Sequence, residues 1–323
     1  MATPWQLVPL LLRPAVATLL GLPAMAPAPS FGPQQQARDL YPTDAPGELG
    51  YLSLPATPSA GAEVARVEVL APDVDREILT FALNLEYLET EYYGRGVGLV
   101  TTSTDMGPNA GDVQGGHEVP WQTPVLKAFA DEIARNELAH VRLMRRLLGS
   151  KAPSRPTLDL SGTFTAAARD AGIVGPNEIF DPWQDELSFF LGGMMIEDVG
   201  ITAYNGALGH LHARSLRTKI AGVATAEGHH MGFARTLLIA SGGDAIEMAA
   251  QISAARRRLD GDTFDQGLEL DGRVNFVPTD ADAACFARTP RQVLDIVCLG
   301  RGKDRGGFYP DGMRGDVQPL MRL

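Results

Sequence analysis

The sequence predicts an all-α protein whose core is an antiparallel four-helix bundle, followed by a C-terminal helical extension. Three observations support this. Four long segments space their apolar residues as helices do, each segment ends at or near a glycine, and a stretch rich in proline and glycine separates the second segment from the third. That stretch suits a long crossover within an up-down-up-down bundle. The four segments are Val74–Gly94, Thr123–Leu148, Pro182–Leu208 and Ser215–Ala240.

Composition limits the classes of partner. The chain has 323 residues and 45% hydrophobic residues, enough for one large domain or two modest ones. Its 28 Lys and Arg against 39 Asp and Glu give a net charge of −11. Nucleic acids and anionic membrane surfaces need a basic footprint, so neither is expected as the main partner. Metal ions or neutral small molecules fit the charge better.

The N-terminal region is expected to direct export. The apolar run Ala15–Ala26 follows Arg13 and has the length of a signal-peptide core, but it is too short to span a membrane. We therefore expect a signal peptide in residues 1–30, a linker in 31–70, and a secreted or extracellular protein. A transit peptide for an organelle such as the chloroplast is the alternative, and an unstructured terminus is another. No other segment is apolar enough for a membrane span.

The bundle is expected within residues 71–240, and the helical extension and tail within 241–323. Ala245–Leu259 has amphipathic spacing. Thr289 precedes a proline and is expected to be the N-cap of a further short helix. The tail beyond Gly300, rich in Gly, Arg and Asp, is expected to add little to the core.

The two cysteines leave their redox state open. Cys285 and Cys298 both lie near the C-terminus. In an oxidising compartment they would be able to pair, whereas two free, buried thiols are equally compatible with the sequence.

Two Glu-x-x-His motifs are the most informative feature of the chain. Glu137 and His140 lie in the second segment, and Glu227 and His230 in the fourth, each pair on the face that carries apolar residues. Placing a carboxylate and an imidazole on a core-facing stripe is costly unless something neutralises them. A metal ion does so, and i, i+3 spacing lets both side chains reach one ion.

Two further glutamates complete a set of six. Glu197 lies on the apolar stripe of the third segment. In the first segment the choice falls between Glu86 and Glu89, and an internal repeat favours Glu86: Tyr93 follows Glu86 at the same interval at which Tyr204 follows Glu197. Glu89 stays open as an extra or alternative ligand. The two tyrosines either pack between helices or form hydrogen bonds to ligands.

The order Glu, Glu-x-x-His, Glu, Glu-x-x-His predicts a carboxylate-bridged pair of metal ions in the bundle. Carboxylate and imidazole ligands suit two Fe ions, with two Mn ions as the alternative. In this hypothesis Glu86 and Glu197 are terminal ligands, and Glu137 and Glu227 bridge the two ions. His140 and His230 each bind one ion.

The chain resembles the ferritin-like superfamily, and within it the desiccation-related proteins of plants and their fungal and bacterial relatives. The resemblance covers about residues 70 to 315. It rests on a motif in the first helix, one in the third, and two near the C-terminus: Asn84–Glu89, Asp198–Tyr204, Phe286–Val297 and Gly306–Pro310.

This resemblance implies a ferritin-like bundle more firmly than it implies a reaction. The complete ligand set brings the chain close to metal-binding ferritin-like proteins, so we expect a stress-associated protein whose centre reacts with dioxygen or peroxide, including a manganese catalase-like variant. The alternative is a non-enzymatic desiccation or stress protectant, or an extracellular structural protein. A third hypothesis is a binding module built on residues 241–323. Whether the bundle forms a homodimer is left open.

Overall fold

The computed structural model describes residues 73–261 and 264–322, and this part of the chain is predominantly helical. The predicted signal peptide and linker lie outside the described residues. The helices are α1 (Asp73–Val97), α2 (Ser103–Met106), α3 (Pro124–Leu148), α4 (Gly162–Ala171), α5 (Glu186–Leu208), α6 (Arg214–Ser241), α7 (Gly243–Asp260) and α8 (Pro290–Val297). Short 3₁₀ turns occupy Gly149–Lys151 and Gln318–Arg322.

The sheet content is small. Strand β1 (Val113–Gln114) pairs in parallel with β2 (Leu158–Asp159), and β3 (Glu269–Leu270) pairs antiparallel with β4 (Arg273–Val274). The first pair ties the loop after α1 to the crossover after α3. The all-α class predicted from the sequence is confirmed.

Local sequence explains where several helices begin. Pro124 occupies the first turn of α3, where its missing N–H costs nothing. Asp185 caps α5 by accepting a hydrogen bond from the Ser188 amide, 2.7 Å away. Thr289 and Gln292 form a reciprocal capping box at the start of α8, as the sequence predicts for Thr289.

Helices α1, α3, α5 and α6 form the bundle, with α1 packed mainly on α3 and α5 mainly on α6. Helices α1 and α5 also contact each other, and both are buried around almost their whole circumference. Polar side chains on these two helices therefore lie inside the protein, where they require partners.

The predicted up-down-up-down order is wrong, because α3 and α5 both run antiparallel to α1 and hence parallel to each other. Two hydrogen bonds show the direction of each helix relative to α1, because residues later in the helix pair with residues earlier in α1. For α3 these bonds are Trp121–Gly96 and Arg145–Tyr87. For α5 they are Phe189–Tyr92 and Tyr204–Glu86. The connection from residue 149 to 185 is long enough to return along the bundle, so α5 starts at the same end as α3. The order is therefore up-down-down-up.

This connection is a crossover and not a fifth bundle helix, as predicted. It contains β2 and α4, and α4 packs against α7, which is outside the bundle. The C-terminal extension also covers the bundle, since α8 contacts both α5 and α7.

A buried ionic network fastens the extension to the bundle. Asp198 of α5 accepts hydrogen bonds from Arg235 of α6 at 3.1 Å and from Arg256 of α7 at 2.9 Å. Arg256 also donates to Asp265 at 2.8 Å, and Asp265 accepts a further bond from Arg288. All five side chains are buried. Because each charge has an opposite partner, the network avoids the large cost of an unpaired buried charge.

The tail after Gly300 adds to the core, contrary to expectation. Tyr309 is fully buried, and its hydroxyl donates to the Asn84 carbonyl of α1 at 2.9 Å. The Asn84 side chain donates to the Arg314 carbonyl and accepts from the Arg314 amide, each at 2.9 Å. Three hydrogen bonds therefore join the tail to α1 beside Glu86. Sequence spacing does not predict these contacts because Asn84 and Arg314 are 230 residues apart.

The cysteines are separate thiols. Neither cysteine forms a disulfide in the structure, but only Cys298 is buried as the free-thiol alternative expects, and Cys285 is exposed. Burial raises the pKa of the Cys298 thiol to about 12. Across the described residues, no helix is both long enough and apolar enough to cross a membrane.

Candidate metal centre

The four bundle helices bring the six predicted residues together. Glu86 comes from α1, Glu197 from α5, and the two Glu-x-x-His pairs from α3 and α6. They form two overlapping groups of four, and in each group the potential ligand atoms lie within 4.8 Å of one another. The groups are Glu86, Glu137, His140 and Glu227, and Glu137, Glu197, Glu227 and His230. Glu137 and Glu227 belong to both groups, which is the position that bridging carboxylates require.

The cluster is withdrawn from solvent. The four carboxylates have no exposed surface, while His140 is 9% exposed and His230 4%. On α3 and α6 the Glu-x-x-His pairs lie on the one buried face of the helix, whereas α1 and α5 are buried on almost every side. Ionised groups at such positions need neutralisation, by each other or by a cation.

Both imidazoles present Nδ1 to the carboxylates. His140 Nδ1 lies 3.1 Å from Glu227 Oε1, 3.3 Å from Glu86 Oε2 and 3.4 Å from Glu137 Oε2. His230 Nδ1 lies 2.9 Å from Glu137 Oε1. The Nδ1 atoms and the carboxylate oxygens thus converge on the same space.

Many of these atoms lack a hydrogen bond of good geometry within the described structure. They include both carboxylate oxygens of Glu137, Glu197 and Glu227, and Nδ1 of both histidines. Buried polar atoms in folded proteins are nearly always satisfied, so such a concentration calls for an explanation. Metal ions placed among the carboxylates would satisfy these atoms together.

The electrostatics of the cluster disfavour the ionised form of several of its carboxyl groups. Burial raises the pKa of Glu86, Glu89 and Glu197 well above the ordinary carboxylate value, and neighbouring carboxylates add to the rise. Burial alone would also raise the pKa of Glu137, but the two close imidazoles lower it to about 2. The raised pKa values mean that Glu86, Glu89 and Glu197 hold their protons more tightly without a metal, and bound divalent cations would favour their ionised forms.

The structure places Glu89 beside the cluster but outside both groups of four. Its side chain is 2% exposed, and its Oε1 faces Gly200 so closely that a Cβ there would lie 2.7 Å from it. The geometry favours Glu86 over Glu89 as the ligand from α1, as the internal repeat does.

The outer contacts of the cluster are only partly foreseen by the sequence. Tyr204 donates its hydroxyl hydrogen to Glu86, so of its two expected roles it takes the hydrogen-bonding one. Tyr93 is fully buried, and burial followed by the charge of Glu197 raises its pKa. Sequence reasoning missed Asn136, whose side-chain Nδ2 lies 3.1 Å from His230 Nε2. Its position directly before Glu137 was the only available signal.

A model of the ferritin-like domain matches residues 74–240, the span that holds all six residues. The chain belongs to the ferritin-like family. It is 26% identical to ferritin-like catalase Nec2 of Nesocodon mauritianus, over 76% of this chain and 85% of that protein. It is 28% identical to desiccation-related protein PCC13-62 of Craterostigma plantagineum, over 69% of this chain and 77% of that protein. No solved structure gives a significant match. The resemblance to ferritin-like and desiccation-related proteins is confirmed.

Proposed function

We propose that this ferritin-like protein binds two Fe ions, or two Mn ions, at the carboxylate–histidine cluster and reacts with peroxide or dioxygen. The observation that carries the proposal is the convergence of buried carboxylate oxygens and imidazole nitrogens that lack a well-formed hydrogen bond within the described part of the chain. The donor set consists of oxygen and nitrogen atoms, which suits both metals. The relative named as a ferritin-like catalase favours peroxide as the substrate.

The proposed division of roles follows the two groups of four. Glu86 and Glu197 each belong to one group and would be terminal ligands, while Glu137 and Glu227 belong to both and would bridge. His140 and His230 would each complete one group. When bound, such a metal pair supplies a two-electron redox couple.

The other residues of the chain prepare the site. Tyr204 holds Glu86 in place through its hydroxyl. The apolar residues of α1 and α5 exclude water, which strengthens electrostatic interactions within the cluster. The cluster is closest to solvent on the side where α3 and α6 carry the two histidines. These two helices have few contacts with each other, and the His140 side chain is 11% exposed. A small molecule such as hydrogen peroxide would enter between these helices.

A second candidate is a non-enzymatic desiccation or stress protectant whose bundle is stabilised by metal. The similarity to desiccation-related protein PCC13-62 favours it. The two candidates agree on metal binding and differ on turnover, so one preparation tests both.

Export remains part of the proposal. The apolar run in residues 1–30 has the composition of a signal peptide, and a secreted stress protein would encounter peroxide outside the cell. N-terminal sequencing of the mature protein tests it. A mature chain that keeps residues 1–30 would contradict a cleaved signal peptide.

The deciding experiment measures metal content by mass spectrometry on protein purified without added metal, followed by oxygen release from hydrogen peroxide. We expect about two Fe or Mn per chain. Glu137→Ala should lose both ions because Glu137 belongs to both groups. Glu132→Ala, an exposed position on the same helix, is the matched control and should keep them.

The outcomes separate the candidates. Two ions with oxygen release support a catalase-like enzyme. Two ions without oxygen release from peroxide or consumption of dioxygen support the protectant. Wild-type protein that refuses added Fe and Mn, or Glu137→Ala protein that retains two ions, refutes the metal centre.

A further inference from the structure

Asn136 contacts Nε2 of His230, the imidazole nitrogen that faces away from the carboxylates. It lies on α3 and is half-buried, and its Nδ2 is 3.1 Å from His230 Nε2 on α6. The contact joins α3 and α6, the two bundle helices with few other contacts between them. It also lies directly beside Glu137, which approaches the same imidazole from its other nitrogen.

The two nitrogens of His230 have different surroundings. Nδ1 lies 2.9 Å from Glu137 Oε1 and faces the cluster, whereas Nε2 faces Asn136. If the proposed metal pair is correct, on which this inference rests, Nδ1 is the ligand atom. A neutral imidazole bound through Nδ1 carries its hydrogen on Nε2, and that N–H requires an acceptor.

The Asn136 amide provides that acceptor. A half-turn of the amide exchanges its oxygen and nitrogen at almost the same positions, and hydrogen bonding decides between the two orientations. A ligating His230 requires the oxygen to face Nε2. We propose that Asn136 is a positioning residue for the metal centre: its Oδ1 accepts the Nε2–H of His230 and thereby fixes Nδ1 as the metal-binding atom.

Loss of the Asn136 acceptor should weaken the binding of only one of the two ions. His230 belongs only to the group that contains Glu197, whereas His140 belongs to the group that contains Glu86. The His230 side chain is 4% exposed and that of His140 is 11% exposed. Asn136 therefore supports the more enclosed position, and its removal should weaken binding of one ion.

The test is a titration of the metal-free full chain with Mn(II) against a competing chelator, which measures affinity independently of turnover. Asn136→Leu keeps the approximate size of the side chain and removes the acceptor, and it should weaken one of two binding events by about 10–100-fold. Asn136→Asp restores an acceptor oxygen and should recover most of the affinity. Arg135→Leu introduces the same side chain at the exposed neighbouring position and should change nothing.

A second readout follows the tautomer itself. With Zn(II) as a diamagnetic probe, nitrogen NMR of the His230 ring should show the hydrogen on Nε2 in wild-type protein. Circular dichroism establishes that each variant is folded. Should Asn136→Leu fail to fold, Asn136→Ala also removes the acceptor and is titrated in its place, with Asn136→Asp as the variant that restores it.

The results distinguish this inference from the broader function. Wild-type protein that binds no Mn(II) refutes the metal centre itself. Wild-type protein that binds two Mn(II), together with an Asn136→Leu variant of equal affinity or a Zn(II)-bound His230 protonated on Nδ1, overturns only the role of Asn136.

Discussion

Loading the cluster with metal should raise the thermal stability of the protein by a large amount. The perturbation is the addition of Mn(II) to metal-free protein, or its removal with a chelator. In the absence of metal, burial and mutual repulsion disfavour the ionised form of these carboxyl groups. Several of their oxygens also lack a well-formed hydrogen bond to any described residue. A ligand that binds the folded state and not the unfolded chain stabilises the folded state in proportion to the logarithm of its concentration.

The structure sets the expected size of the stabilisation because it contains two groups of four potential ligands, enough for two ions. At a free metal concentration of 100 times Kd, each site contributes about 2.7 kcal/mol, so two sites contribute about 5.4 kcal/mol. In a folded unit of roughly 250 residues, 1 kcal/mol changes the Tm by about 2–4 °C. The expected increase in Tm is therefore about 10–20 °C.

The assay is thermal unfolding followed by circular dichroism with and without Mn(II). Glu137→Gln should lose most of the increase, since Glu137 belongs to both groups. Glu132→Gln, exposed on the same helix, should retain it. An increase below about 2 °C in wild-type protein at saturating metal, less than one occupied site would give, would refute the reasoning. So would an equal increase in Glu137→Gln.

Three further predictions concern the C-terminal extension. Arg235→Met leaves Asp198 and several carbonyl oxygens with fewer hydrogen-bond donors, and it should lower the free energy of unfolding in urea by about 3–5 kcal/mol. A loss below about 1 kcal/mol would show that the buried ionic network contributes little to stability. Burial alone would raise the pKa of Asp265, but the charges of two arginines lower it, so its stabilising contribution is present above about pH 4 and is lost as the pH falls through the folded-state pKa. In Asp265→Asn, the free energy of unfolding measured by urea titration should fall less steeply as the pH is lowered. The same dependence on pH as in wild-type protein would contradict this role of Asp265. Gly206→Ala places a Cβ against the Arg288 carbonyl oxygen and should lower the free energy of unfolding by about 1–3 kcal/mol, which is measured as a lower Tm. An unchanged Tm would show that the backbone near Arg288 moves to accommodate the methyl group.

The bundle and the six clustered residues were predictable because their signals are local. An i, i+3 pair such as Glu137 and His140 lies within one helical turn, so sequence spacing alone places both side chains on one face. Glu197 and Glu86 followed from the apolar stripe and from the interval to a tyrosine. Whether these residues bind metal remains a prediction.

What escaped prediction depends on contacts between distant segments. The direction of α5 is set by the path of the crossover, and a connection of that length permits either direction. The pairing of Asp198 with Arg235 and Arg256 requires three helices to meet, and no spacing within one helix encodes it. Asn136 escaped for the same reason, because its partner His230 lies 94 residues further along the chain.

The hydrogen bonds between Asn84 and Arg314 have a consequence for the timing of assembly. A ribosome adds roughly 5–20 residues per second, so about 10–50 s pass between the synthesis of the two partners. Throughout that interval α1 lacks the cover that the tail provides beside Glu86. The surroundings of Glu86 are thus completed only once Arg314 has been synthesised and has reached α1. Any metal ion that the cluster binds would meet those surroundings only late in the assembly of the protein.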